Sequence, residues 1–375
     1  MAREFGVALA TVQRWVQRAG TDRLGRVAWS GMPRGGRRRR SATSARMENL
    51  ILRTRKRLKE KSDLGEHGAV AIHRTLTERG IKKIPSLRTI GRVLLRRGAL
   101  DGRRRIRRPP PPKGWYLPPV ATRTAELDSF DFIEDLTLRG GAPVNVLTGI
   151  SLHGGLCDAF VKPSWTAKLT AHALVAHWRE QGLPAYAQFD NDTIFCGARQ
   201  FRDSYGRVIR LCLQLDVIPV FAPPQETGFQ AVIESFNGRW QQNVWQRFFH
   251  DDHDAIQACS SRYTRAARQR AAPRIDAAPP RRPFPKNWTP DYQVPLKGTV
   301  IYLRRTNHHG EVEVQRRRYQ VDPLWCHRLV RAEVDLTNHQ IRFYRLRRKD
   351  PDEQPLLKTA KYITPTKRFR GDDPH

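Results

Sequence analysis

The chain has 375 residues, with 68 Lys plus Arg against 36 Asp plus Glu and a formal net charge of +32. That length exceeds one ordinary hydrophobic core and predicts two to four folded units, and that charge calls for a polyanionic partner, nucleic acid first. No apolar run reaches the roughly 18 residues of a membrane span, and the five cysteines are scattered with no CxxC pair, which argues against a membrane protein, a disulfide framework and a zinc knuckle.

The positive charge is concentrated at the front. Residues 1–108 hold 30 basic residues and 8 acids, the pattern of a binding module placed ahead of a more balanced domain that can carry chemistry. Within residues 1–30, Val12, Trp15 and Val16 fall at helical spacing. They predict the second helix of a helix-turn-helix, truncated at Met1, that buries these three and shows Gln13, Arg14 and Arg18 to DNA. Residues 31–44, with Arg37, Arg38, Arg39 and Arg40 beside two glycines, read as a basic linker suited to phosphate contact.

A helix is predicted over Ala45–Lys61, opening a second helix-turn-helix domain at residues 45–100. Its last helix starts at Ser86, an N-cap after Pro85, and carries Leu87, Ile90, Val93 and Leu94 on one face, leaving Arg88, Arg92 and Arg96 for DNA. Short helical hairpins are common in any protein. Two of them in the most basic part of the chain favour DNA binding. Arg103, Arg104 and Arg105, followed by Pro109–Pro112, mark an Arg/Pro-rich linker over 101–120.

Residues 121–270 then read as strands at Glu126–Phe132, Val144–Ile150 and Cys157–Lys162, a helix at Trp165–Gln181, a strand at Ala185–Asp190, a helix to Leu215 and a strand at Val217–Phe221. This is a mixed α/β order. A Pro-rich linker is expected at 271–297. Five short strands between 298 and 350 suggest a small SH3-like β-barrel, and 351–375 a basic tail.

Phosphodiester chemistry with two divalent cations about 3.5–4 Å apart needs several carboxylates brought to one point. Asp128 lies on the first strand of the α/β region, and Asp190 ends the fourth, where such sheets place ligands. Glu234 falls on a helix whose apolar stripe is Phe229, Ile233, Phe236, Trp240, Val244 and Phe248. Gln230, Glu234, Asn237 and Gln241 form the neighbouring polar stripe, with Gln230 and Asn237 suited to holding a DNA strand.

Asp128, Phe189-Asp190-Asn191, and Ala222-Pro223-Pro224 followed by Ile233-Glu234-Ser235-Phe236-Asn237-Gly238 resemble the D-D-E core of integrase-type insertion-sequence transposases. The resemblance runs over nearly the whole chain. It implies an RNase H-like catalytic core between all-α DNA-binding units and the small barrel, with two Mg2+ or Mn2+ ions on Asp128, Asp190 and Glu234. It also implies element-end and target DNA as partners and a working dimer or larger assembly. Forty-three residues separate Asp190 from Glu234, which places extra length around Gly197–Gly206.

Taken singly, each acid has a plainer explanation as a turn, cap or solvated helix residue. Their joint placement favours the metal reading. Asp131, Asp135 and Asp192 compete, Asp131 above all because it shares the first strand on the face opposite Asp128. His308-His309 and the pair His250 and His253 read as exposed, and no phosphate-binding Walker loop is present. The expected activity is metal-dependent DNA cleavage and strand transfer in the cytoplasm, on the nucleoid when DNA is bound. The rivals are a non-catalytic DNA-binding regulator and a nuclease that only hydrolyses.

Overall fold

The computed structural model describes residues 2–27, 43–100, 113–198, 205–226, 228–363 and 369. Arg37–Arg40 and Arg103–Arg105 lie outside the described residues. The chain divides into two compact units, Met1–Lys59 with His67–Arg103, and Glu60–Glu66 with Arg104–His375.

The first unit is helical. Helix α1 (Leu9–Ala19) has no buried residue, and Trp15 and Val16 are 45% and 60% exposed. The expected inward packing of Val12, Trp15 and Val16 therefore does not occur, because among the described residues no second helix covers that face. Helices α2 (Ala45–Lys61), α3 (Ala69–Glu78) and α4 (Leu87–Arg96) do share a core of Ile51, Ile72, Leu76, Ile90, Val93 and Leu94.

Ser86 caps α4 as its sequence position predicts, accepting the Thr89 N–H at 3.3 Å. Leu87 is left 45% exposed. Arg55 of α2 ties the unit together by donating to the carbonyls of His67 and Ala99 at 2.7 and 2.8 Å. Arg88 and Arg92 are exposed. Arg96 is drawn into an ion pair with Glu48 of α2, so one of the three arginines assigned to DNA has a structural partner.

The second unit is built on a nine-stranded sheet. Strands β1 (Leu127–Thr137), β2 (Pro143–Ser151) and β3 (Cys157–Lys162) form an antiparallel meander. After helix α6 (Ala167–Gln181), β4 (Tyr186–Phe189) pairs parallel to β1, and β5 (Ile218–Phe221) pairs parallel to β4. The resulting order β3-β2-β1-β4-β5 is that of an RNase H-like sheet. Short helix α7 (Thr193–Cys196) and α8 (Arg207–Gln214) occupy the stretch read from sequence as one helix.

One face of the sheet buries Phe130, Leu174, Trp178, Phe189, Val208 and Phe221 against α6 and α8. The opposite face packs Ile133, Val146 and Ile150 against Ile233, Phe236, Trp240 and Ile256 of helices α9 (Ala231–Trp240) and α10 (His253–Asp276). Because side chains alternate along a strand, these two layers decide which β1 residues can meet α9.

Three segments assigned as linkers or tail are packed structure. Trp115, Tyr116, Leu117 and Val120, just before and within helix α5 (Pro118–Ala121), are buried with Leu127, Val220 and Ile301. In the proline-rich stretch, Arg282 forms a bridge with Leu183, and Tyr292 and Leu296 enter the core. In the tail, the buried Tyr362 shares a hydroxyl hydrogen bond with Tyr205 at 2.7 Å.

The C-terminal strands also depart from expectation. Strand β6 (Thr299–Arg305) pairs parallel to β5, and β9 (Leu329–Asp335), β10 (Gln340–Arg345) and β11 (Leu356–Lys361) continue the same sheet. Only β7 (Glu311–Val314) and β8 (Arg317–Gln320) stand apart as a hairpin. The strands fall close to where alternation predicts them, but they do not form a free-standing SH3-like barrel. The reason is the open edge of β5, which β6 covers by stacking Tyr302 on Phe221 at 5.2 Å and burying Ile301 and Leu303.

Candidate carboxylate site

Two residues decide how β1 meets the acids. The parallel register aligns Asp128 with Ala187 and Ser129 with Gln188. Two residues further along, Asp131 comes level with Asp190, at the carboxyl end of β4. Parity agrees, since Phe130 stacks on Phe189 across the α6 face at 5.7 Å, which leaves the neighbours Asp131 and Asp190 to the α9 side. Glu234 belongs to α9.

The structure therefore does not bring Asp128 together with Asp190 and Glu234. Asp128 is fully buried on the other face. Arg281 donates to it with both terminal nitrogens at 2.8 and 2.7 Å, and Trp178 Nε1 donates at 3.2 Å. Burial alone would raise its carboxyl, but Arg281 and then His177 hold it well below the usual carboxylate range. Held by Arg281 and Trp178, the buried Asp128 is not among the residues that line the cleft of Asp190 and Glu234.

Asp131 is in the opposite state. It is half-buried, and its carboxyl is pushed up to about 7, by burial first, then by the charge of Asp190 and, less, of Glu234. Backbone and Asn237 hydrogen bonds only partly offset this. Glu134, at the β1 bulge between Ile133 and Leu136, is also raised, by burial and then by Asp192, Asp135 and Asp190. Negative charge thus accumulates at this end of the sheet faster than cations neutralise it.

Asp190 and Glu234 line one open cleft of about 490 Å³ with Asn191, Asp192, Pro224 and Gln230. Asp190 accepts the Asp192 N–H at 2.9 Å, and Asp192 caps α7. Gln230 lines the cleft, and among the described residues its buried side-chain nitrogen has no hydrogen-bond partner. Helix α9 buries Ile233, Phe236 and Trp240 and exposes Glu234. Phe248, expected to continue the buried stripe, is 43% exposed, the helix having given way to a π-turn at Gln241–Trp245.

Asn237, assigned from sequence to DNA, is buried. Its Nδ2 donates to Asp131 Oδ2 at 2.9 Å, and its Oδ1 accepts from the Thr148 hydroxyl at 2.7 Å. Thr148, opposite Asp131 in the β1–β2 register, thus orients the amide that orients the acid. Thr148 carried no sequence signal. Gln13, Arg14 and Arg18 lie exposed on α1.

Among the described residues, no group of three or more His, Cys, Asp or Glu side chains stands placed to hold a metal ion. No helix among them is long and apolar enough to cross a membrane.

Behind the sheet, His177 lies between two acids, with Nδ1 2.6 Å from Asp158 and Nε2 3.4 Å from Asp128. The longer contact lacks hydrogen-bond alignment and acts as a charge contact. Burial opposes protonation, yet the two carboxylates raise His177 to about 8. A raised folded-state value means stability that is complete below about pH 6.5, the free-histidine value, and lost as pH rises through 8. Urea titrations should show about 2 kcal/mol lost between pH 6.5 and 9. Most of that loss should vanish in His177→Gln, leaving only the part that Asp131 contributes near pH 7, and an unchanged slope in the variant would refute the assignment.

No family model and no curated protein matches the chain. Among solved structures it is similar to a chain of the simian T-cell lymphotropic virus intasome in complex with PP2A regulatory subunit B56 gamma, at 11% identity and a TM-score of 0.34, covering 78% of this chain and 95% of that one. It is also similar to the HTLV-2 integrase catalytic core domain in complex with magnesium, in its dimeric form, at 13% identity and a TM-score of 0.28, covering 41% of this chain and 86% of that one. At these scores neither likeness assigns an activity to this chain.

Proposed function

We propose that the chain is a DNA-cutting and DNA-joining enzyme whose metal-binding acids are Asp131, Asp190 and Glu234. The observation that carries this reading is the β1–β4 register with the strand parity, which brings Asp131 level with Asp190 on the side of α9, the helix of Glu234; burial and the charge of the other two acids push the Asp131 carboxyl up accordingly. Gathering like charges is costly unless a cation is shared among them. The donor set is all carboxylate oxygen, which suits Mg2+ or Mn2+. Divalent cations, when bound, would activate the attacking oxygen and stabilise the leaving one.

This chain's own residues then orient and bind. Thr148 and Asn237 fix Asp131, and Asp192 fixes Asp190. The proposed sequence is attack of water on a phosphodiester to leave a 3′ hydroxyl, followed by attack of that hydroxyl on a target strand. DNA ends would be held by exposed polar and basic side chains of the front unit, Arg88 and Arg92 on α4 and Gln13, Arg14 and Arg18 on α1. Two ends must meet, so a dimer or larger assembly is part of the proposal.

A non-catalytic DNA-binding protein is the competing reading, favoured by the lack of a preformed metal group among the described residues. Incubation of labelled duplex DNA with Mn2+ separates the two. Cutting that falls at least about a hundredfold in Asp190→Asn and in Glu234→Gln supports the enzyme. Equal residual cutting in wild type and variants removes it, and joined products distinguish transfer from simple hydrolysis.

A further inference from the structure

The β7–β8 hairpin has no role in the reading above. Val314 pairs with Arg317, which leaves a two-residue turn of Gln315 and Arg316, at φ +50° and +59°. Both values are left-handed, the conformation of a type I′ turn, for which Asn-Gly is the preferred sequence because other side chains are strained there. Here the strained positions carry a long amide and a guanidinium. Such strain persists where the side chains serve a purpose that Asn-Gly would not.

The place these side chains occupy suggests that purpose. Gln315 and Arg316 line a cavity of about 570 Å³ together with Arg304 and Arg305, and this cavity shares Asn191 and Pro224 with the carboxylate cleft. Gln315 is fixed by donating to the Tyr302 hydroxyl. Arg304 donates to Asn191 Oδ1 at 3.0 Å, which joins the groove wall to the turn that carries Asp190. Acid is present as well, since Glu313 lines the cavity and Glu226 pairs with Arg305, but the arginines outnumber it. A second pocket at the hairpin is lined by Arg316, Arg317 and Arg318 with Lys361, and again by Glu313.

We infer that this hairpin is a basic finger that grips the phosphodiester backbone of the DNA strand leaving the carboxylate cleft. The inference rests on the nucleic-acid reading of that cleft. A strand seated at Asp190 and Glu234 has a continuous path past Asn191 into the arginine-lined groove, and the finger would hold it by charge and not by base identity.

The full-length chain can be tested against a fluorescein-labelled 30-base-pair DNA duplex in EDTA, by anisotropy over a salt series. Gln315→Asn combined with Arg316→Gly installs the preferred turn, so the melting temperature should rise by roughly 2–5 °C while affinity falls. Arg316→Glu combined with Arg318→Glu should weaken binding about tenfold or more and make the log–log salt slope shallower by about 0.9 for each phosphate that the protein no longer neutralises. A falling melting temperature in the first variant overturns the inference, because the turn is then ordinary scaffold. So does wild-type affinity and slope in the second. No turnover is measured, so a chain that binds through the finger but fails to cut would sink the enzymatic proposal and leave this one standing.

Discussion

Asp131→Asn should lose metal-dependent DNA cutting by about a thousandfold or more, while the variant protein becomes more stable than wild type at pH 8. The first effect follows from removing one of three acids that share the cations, worth several kcal/mol of transition-state stabilisation. The second follows from the sign of the Asp131 shift. Its carboxyl stands at about 7 in the folded chain against 3.8 for the free group, so its favourable contribution is complete below pH 3.8 and is lost as pH rises through 7. At pH 8 the wild type carries an ionised, half-buried acid facing two others.

Replacement by Asn removes that charge and leaves an amide oxygen that can still accept from Asn237. The full shift corresponds to about 4 kcal/mol, and partial exposure reduces this to roughly 2 kcal/mol. Millimolar Mg2+ should raise the melting temperature of the wild type at pH 8 and have little effect on the variant. Thermal melts with and without Mg2+ at pH 5 and 8, beside a cutting assay, test all three parts. Cutting by Asp131→Asn at the wild-type rate would end the assignment.

Arg281→Ala should cost the second unit about 3–5 kcal/mol of stability, because it leaves a fully buried Asp128 with only the longer His177 contact as charge partner. Arg281 also donates to the Gln181 and Gly182 carbonyls, so the same change releases the proline-rich stretch from the end of α6. Asp128→Leu combined with Arg281→Met should recover most of the loss, as a buried ion pair exchanged for apolar groups of similar size often does. Asp128→Asn should leave cutting intact in whatever fraction folds. Urea melts of Asp128→Leu, Arg281→Met and the double variant give the coupling energy. Additive losses would show that the two side chains do not act as a pair.

The contrast between Asp128 and Asp131 shows where the sequence was legible and where it was not. Strand positions were readable because alternation and turn residues are local, and β3 and α2 fall on the predicted bounds. The choice between two acids three residues apart on one strand is not local. It depends on which face of β1 meets α9, and Leu127, Phe130 and Ile133 are all buried, so both faces look alike in sequence. The parity of Asp190 relative to Phe189 was the available signal, but it becomes decisive only once the β1–β4 register is known. Asn237 misled for a related reason: its helical stripe is polar, yet a buried acid consumes its amide.

Arg281 was unreadable because a basic residue among prolines resembles any solvated linker, and only the fold brings it to Asp128. The supposed barrel failed on strand pairing. Five alternating strands predict a sheet but not which edge they join, and the exposed flank of β5 offered a partner that a free-standing barrel would have left bare.

That shared flank ties the two ends of the gene together. A message interrupted between codons 234 and 299 would yield a polypeptide with all three candidate acids but with the row Val220-Phe221 of β5 uncovered along one side. Such a row invites pairing with neighbouring copies. The last fifth of the chain is therefore expected to shield the core from its own copies, and chains shortened in that window are expected to aggregate.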